Sequence, residues 1–240
     1  MKSLKDYICE SMFDEEDIET GIIDKEIKDW IVENYEHVNT SRLKISKKPN
    51  KDGKYVVDYS AGIKINVLPT PTSLTNGMFV WGEVKGIFYC SYCESLKTLE
   101  GAPEKVSGDF ECSECDSLTS LKGAPKVVGG SFDCYNCKNL TSLKGAPKVV
   151  GDNFYCNYCE SLKTLEGAPE KVGGFFYCNY CPTLTSLKGA PKVVGGDFYC
   201  TNCSSLSSLN GISKKVGGKI YCDGCSKEFT EEDIEKAKNS

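Results

Sequence analysis

The sequence predicts a repeat solenoid, mainly β, with a parallel sheet, a small α+β N-terminal cap and a short C-terminal capping helix. Three observations carry this. A Cys-x-x-Cys pair returns every 22 residues, seven times and without insertion, at 90/93, 112/115, 134/137, 156/159, 178/181, 200/203 and 222/225. Phe88, Phe110, Phe132, Phe154, Phe176 and Phe198 keep the same period two residues ahead of each pair, with Ile220 in the last copy. Behind each of the first six pairs stand two leucines in register, as in Leu162 and Leu165, and five copies go on to Gly-Ala-Pro and a valine. A unit this short can bury its apolar side only against its neighbours, so periods of this length belong to stacked coils.

The elements follow in chain order. Residues 1–62 are expected to form a helical and hairpin region, with a helix over 14–36. Asp14 or Asp24 is its candidate cap, and Ile23, Ile27, Trp30 and Ile31 share one face. "DGKYVVDYSAGIKINVL" suggests a hairpin turning at Asp52-Gly53. Residues 63–86 read as a cap and degenerate first repeat, because an open solenoid end would expose core and strand edge. Residues 87–225 hold the seven repeats. In each, Phe-x-Cys alternates as a strand, turning Phe154 and Cys156 one way and Tyr155 the other. Gly-Ala-Pro then breaks the strand and turns the chain back. Residues 226–240 supply the terminal helix, with Thr230 as N-cap and Phe229 with Ile234 as a hydrophobic staple. A longer period overlies the short one: "CESLKTLEGAPEKV" begins at Cys93 and again at Cys159, a shift of 66 residues, as if a three-unit block had been duplicated.

The pattern F-x-C-x-x-C-x-x-L-x-x-L resembles the leucine-rich repeat, and most closely its cysteine-bearing subclass, over about residues 84–225. Two departures stand out: Phe-x-Cys replaces Leu-x-Leu, and the valine before the strand comes one position early. The resemblance implies a right-handed horseshoe whose concave sheet binds a protein partner. The early valine implies a back made of loop or short turn and not of helix. It also gives both cysteines a structural place, the first in a core leucine position and the second in the buried Asn/Cys position. The core cysteines would then be Cys90, Cys93, Cys112, Cys115, Cys134, Cys137, Cys156, Cys159, Cys178, Cys181, Cys200, Cys203, Cys222 and Cys225. On that reading alanine should be better tolerated than serine at the second position, where shape would matter more than polarity.

Two other readings of the pairs stand beside it. Cys-x2-Cys-x18-Cys-x2-Cys has the spacing of a four-cysteine zinc site, which opens a zinc-ribbon array with a structural or nucleic-acid-binding role. Disulfides are the other. Fifteen cysteines without a recognisable export signal favour free thiols in a reducing compartment. No cofactor is otherwise implied.

Net charge is −5, which gives no basic footprint for nucleic acid, and no run of 18 apolar residues offers a membrane span. His37 is the sole histidine, Cys9 stands outside the repeat, and no phosphate loop, paired-carboxylate motif or serine elbow occurs. An enzyme is not expected. The variable positions beside the core are the candidate partner-binding surface: Tyr155, Tyr158, Phe175, Tyr177, Tyr180 and Tyr199 on an aromatic half, Glu111, Glu114 and Asp133 on an acidic half. Clustered tyrosine is interface chemistry, yet tyrosine ladders also simply stabilise sheets. Stacking of single-stranded bases is disfavoured by the acidic half.

"MKSLKDYICES" resembles the capsid-targeting peptides of internal head proteins in T4-like tailed phages, with a possible processing site between Glu10 and Ser11; an ordinary amphipathic segment is the alternative. That resemblance implies a phage-encoded protein acting in the bacterial host cytoplasm, packaged in the virion, where inhibition of a host defence protein is a natural role. A virion structural role is the other outcome it allows.

Overall fold

The structure, a computed structural model, describes residues 15–65, 73–75 and 77–239. It is a β solenoid of about seven regular coils between an α+β N-terminal region and a short C-terminal helix.

Each coil carries two strands of two residues. The front strands are β6 (Phe88–Tyr89), β8 (Phe110–Glu111), β10 (Phe132–Asp133), β12 (Phe154–Tyr155), β14 (Phe176–Tyr177), β16 (Phe198–Tyr199) and β18 (Ile220–Tyr221). The back strands are β7 (Lys105–Val106), β9 (Val127–Val128), β11 (Val149–Val150), β13 (Lys171–Val172), β15 (Val193–Val194) and β17 (Lys215–Val216). Like strands of successive coils pair in parallel with a constant shift of 22 residues, as Phe132 with Phe154 and Val128 with Val150. Two nine-stranded sheets result. In the front sheet backbone N–H groups donate to the following coil, as Cys134 N to Tyr155 O at 2.9 Å. On the back they donate to the preceding one, as Gly151 N to Val128 O at 2.9 Å.

The back therefore differs from the expected loop or turn. It is free of helix, but the Lys-Val and Val-Val dipeptides form a second parallel sheet. Two residues are too short to show strand alternation in a sequence, and the β-branched valines become strand only by stacking on their neighbours. Glycines let the coils close up. Gly123 has φ +91°, and a Cβ there would meet the Glu100 backbone at 2.5 Å. One added at Gly151 would run into the carbonyl oxygen of Gly129.

Between the sheets lies a core of columns. Phe88, Phe110, Phe132, Phe154, Phe176 and Phe198 stack with ring centroids 5.1–5.4 Å apart. Such offset pairs add about 0.5–1.5 kcal/mol each beyond their buried area. Beside them run the leucine columns, the valine column and the cysteines, nearly all fully buried.

The N-terminal region departs further from expectation. α1 (Glu15–Asn34) buries Ile27 and Ile31 and packs Ile23 and Trp30 against the core, as its periodicity suggests. Asp24 lies inside the helix and is no cap, and Asp14 falls outside the described residues. A hairpin does turn at Asp52-Gly53, but its arms are β2 (Leu43–Ile45) and β3 (Tyr55–Tyr59). The chain does not fold back after β3. It rounds a corner into β4 (Ile63–Ile65), so β3 extends the back sheet and β4 the front. The coil ladder thus reaches back to Tyr55, ahead of residue 63. Its first step is 25 residues, Ile63 to Phe88, and that insertion hid it. The following coil runs from β5 (Phe79–Val84) into β6. At this end β1 (Tyr35–Glu36) covers the edge of the front sheet and β2 that of the back, both antiparallel. Trp30, Tyr35, Phe79 and Trp81 close the core edge-to-face over Phe88. At the other end α2 (Glu231–Asn239) is capped reciprocally: Asp233 N donates to Thr230 Oγ1 at 3.2 Å and Thr230 N to Asp233 Oδ2 at 3.0 Å. Phe229 and Ile234 are both half-buried against the core.

Candidate functional site: the front face

The cysteines must be placed first, because they set the geometry of everything outward of them. All fourteen repeat cysteines are free thiols. Thirteen are buried, and Cys225 in the last coil is half-buried. The second thiol of each pair from Cys115 onward donates to the carbonyl of the first cysteine one coil earlier. Cys115 reaches Cys90 O at 3.3 Å, Cys137 reaches Cys112 O at 3.2 Å, and Cys159 reaches Cys134 O at 3.4 Å. Cys181, Cys203 and Cys225 repeat the contact at 3.2–3.3 Å. The first thiols Cys134, Cys156 and Cys178 lean instead on a carbonyl that already has a backbone donor, as Cys156 Sγ on Tyr177 O at 3.2 Å beside Cys156 N at 2.8 Å.

These thiols are thus engaged with backbone carbonyls, and Cys93 and Cys115 also hydrogen-bond to each other. Among the described residues no group of three or more His, Cys, Asp or Glu side chains is arranged to share a metal ion. The thiols do not fit the four-cysteine zinc arrangement, which needs thiolates converging on one point. Burial pushes most of the thiols up: Cys112, Cys134, Cys156 and Cys178 far above their ordinary value, Cys203 to about 12 and Cys222, near the open end, to about 11; Cys115 is the exception, pulled down by its hydrogen bond with Cys93.

Outward of this core, the expected site residues fall in two columns and a flank. Strand register places Lys64, Tyr89, Glu111, Asp133, Tyr155, Tyr177, Tyr199 and Tyr221 in one line, one per coil. Tyr155, Tyr177, Tyr199 and Tyr221 stack with centroids 4.8–4.9 Å apart and rings within 8° of parallel. Phe175 meets Tyr177 and Tyr199 edge-on. Tyr199 Oη donates to Asp197 Oδ2 at 3.0 Å, a bond that pushes its phenol up to about 12.

The second column is not strand, contrary to its reading as strand face. Tyr92, Glu114, Asn136, Tyr158, Tyr180 and Asn202 have φ between 52° and 62°, and Gly224 has φ 68°. They form the left-handed turn that ends each front strand and delivers the second cysteine to its carbonyl. Asn and Gly adopt this backbone readily; a bulky side chain there costs about 1–2 kcal/mol. Tyr158 and Tyr180 hold it while half-exposed, stacked at 4.6 Å. Tyr135 packs edge-on against Tyr158 at 5.3 Å. Its role was missed because it falls between the two cysteines, at a position otherwise held by small polar residues in the first coils. Close by, the side-chain carbonyl oxygens of Asn157 and Asn179 are buried without a donor. Glu10 and Ser11 fall outside the described residues, as does Cys9.

The acidic residues sit together on the same face. Glu111 and Asp133 are directly opposite each other across β8 and β10. Burial, then the charge of Asp133, pushes Glu111 up, and burial likewise pushes Asp133 up against the pull of its bond from Tyr135 N. Among the described residues Asp109, Glu111, Glu114 and Asp133 form no ion pair, unlike the glutamates at the Gly-Ala-Pro corner.

With this geometry in hand, comparison shows that no family model matches the chain, and neither curated proteins nor solved structures give a match.

The thiol contacts reverse the expected tolerance at the second cysteine. Cys159→Ala leaves the Cys134 carbonyl without its donor and should cost about 1–3 kcal/mol, whereas Cys159→Ser keeps a donor and should cost less. At Cys156, whose acceptor already has a backbone partner, Ala should be the milder change. Urea unfolding of the four variants gives the order.

Raised carboxylates give a second expectation. Their charged forms are disfavoured in the folded chain, so they destabilise it above the ordinary carboxylate range, and this loss fades as pH falls into that range. Replacing Glu111 by Gln and Asp133 by Asn should therefore stabilise at pH 7 by about 0.5 kcal/mol, the scale of one opposed like-charge pair. The gain should vanish in melts recorded toward pH 4.

Proposed function

We propose that the chain is a non-enzymatic binding protein that grips another protein through the front face. The observation that carries this reading is the pair Tyr158 and Tyr180 in left-handed backbone. The same turn is made without strain by Asn136, Asn202 and Gly224, so folding alone does not call for tyrosine there. Backbone strain of this kind is maintained where the side chain it presents has a use. On the same face are the Tyr155–Tyr177–Tyr199–Tyr221 stack, Phe175 and, in the preceding coils, four carboxylates that form no ion pair among the described residues. Tyrosines already ordered against one another lose little side-chain freedom on binding, which suits them as anchors. The carboxylates disfavour a nucleic-acid strand on the same surface.

The wider reading, a phage-encoded protein that inhibits a bacterial defence protein in the host cytoplasm, rests on the likeness of residues 1–11 to capsid-targeting peptides, taken together with the Phe-x-Cys repeat. It names the first lysate to try.

Tyr177 and Tyr180 lie near the middle of the aromatic half. Replacing either by Ala should lower the melting temperature only slightly, since each ring is lost from a surface stack and alanine keeps the Cβ that strains the left-handed turn at 180. It should weaken a partner captured from bacterial lysate by more than about 1 kcal/mol, as removal of a central aromatic anchor does. A partner held equally by both variants, and released by changes around Trp30, would place the binding site on the N-terminal cap instead.

A further inference from the structure

Resting on the front-face reading, the geometry points to a basic segment of a partner protein as its occupant, with one arginine seated between the Glu111 and Asp133 carboxylates and the uncovered ring face of Tyr155.

Column register is the first support. Tyr155 is the first ring of its stack: Tyr177 covers one face, and the coil on the other side carries Asp133 at the same position. In the interior of the stack each ring is covered on both sides, leaving only edges and hydroxyls for a ligand. The Tyr155 face is thus a place where a planar cation can lie on a ring of this column while its N–H groups reach carboxylates; the other such ring, Tyr89, already has Lys64 over it. Guanidinium suits both contacts, through its flat face and its fork of donors.

The same column already holds one such arrangement. At its N-terminal end Lys64 Nζ stands over the Tyr89 ring, 5.4 Å from the centroid, and pairs with Glu36 at 2.9 Å. There the chain supplies its own cation to a tyrosine face and a carboxylate. At Tyr155 ring and carboxylates are present, and among the described residues no cation of the chain pairs with them.

A third support is the contrast with the Gly-Ala-Pro corner. Glu100, Glu104, Glu166 and Glu170 each meet a lysine one coil away, at 2.8–3.5 Å. The repeat can place lysine opposite glutamate and does so at four corner glutamates. On the front face it sets Glu111 against Asp133, with Asp109 and Glu114 alongside, at a cost to the free chain. A cation from outside relieves that repulsion. Beyond the junction the segment meets the edges and hydroxyls of Tyr177 and Tyr199 and the ring of Phe175, so it runs across the coils along the sheet.

The test uses the purified full chain and two fluorescein-labelled twelve-residue peptides of alternating Arg-Ser and citrulline-Ser. Citrulline keeps the planar shape and removes the charge. The arginine peptide should bind at least about tenfold tighter at low salt, with the preference shrinking as salt is raised. Glu111→Gln with Asp133→Asn should remove most of that preference, and Tyr155→Leu should weaken the arginine peptide severalfold. Glu100→Gln with Glu166→Gln, at the corner, should change nothing. Equal binding of the two peptides, no binding of either, or a preference that survives in the front-face double variant would overturn the proposal. If citrulline peptide binds equally well and Tyr177→Ala releases both, the basic segment is wrong and the binding face stands. If no front-face variant affects either peptide, both readings fall.

Discussion

Every coil of this solenoid leaves one carbonyl, that of its first cysteine, at the point where the front strand breaks into a left-handed turn. The thiol of the second cysteine one coil later donates to it, at 3.2–3.4 Å, six times in succession. An unsatisfied buried carbonyl costs about 1–3 kcal/mol, so a two-residue strand could not stop there without a substitute donor. The turn in turn decides which side chains face outward beside the strand. The placement of Tyr158 and Tyr180 thus follows from how the cysteines are bonded.

Much of this was legible before any coordinates. The period of 22, the inward Phe and Cys, the leucine columns and the terminal helix with its Thr230 cap could all be read because each copy repeats the same residues at the same offsets. The back sheet could not, because Val149–Val150 is strand only through its pairing to Val127–Val128 and Lys171–Val172. The coil beginning at Tyr55 was hidden for the opposite reason: it is β-rich but out of period by three residues, since its step is 25 against 22 elsewhere. On the front face the Tyr155–Tyr177–Tyr199 column was visible from alternation alone. The neighbouring Tyr158–Tyr180 column was recognised as exposed but assigned to strand, because side-chain identity does not report the sign of φ. The second cysteine was assigned its buried position, while its role as a donor needed the carbonyl to be located.

Two surfaces of the same coils treat charge in opposite ways. Along the Gly-Ala-Pro corner the three-unit block alternates so that glutamate coils lie beside lysine coils, and Glu166 is shared by Lys144 and Lys188. Exposed pairs of this kind contribute little each, but they interrupt the lysine columns, in which Lys122 still adjoins Lys144 and Lys126 adjoins Lys148. The front face forgoes that device in the coils of Glu111 and Asp133 and carries strained tyrosines in later ones. Repeat proteins separate these tasks easily, since the core columns fix the stack and leave the outward positions free to vary.

The claim on which the rest stands is that the paired cysteines are enclosed free thiols, the second of each pair from Cys115 onward bonded to a backbone carbonyl. Mass-spectrometric counting of alkylated cysteines in the folded, reduced chain tests it most directly. The half-buried Cys225 and then Cys222, both at the open end, should react first. Cys134, Cys137, Cys156 and Cys159 should stay unmodified until the whole stack unfolds. Interior cysteines that label in the native protein as fast as Cys225 would contradict the account.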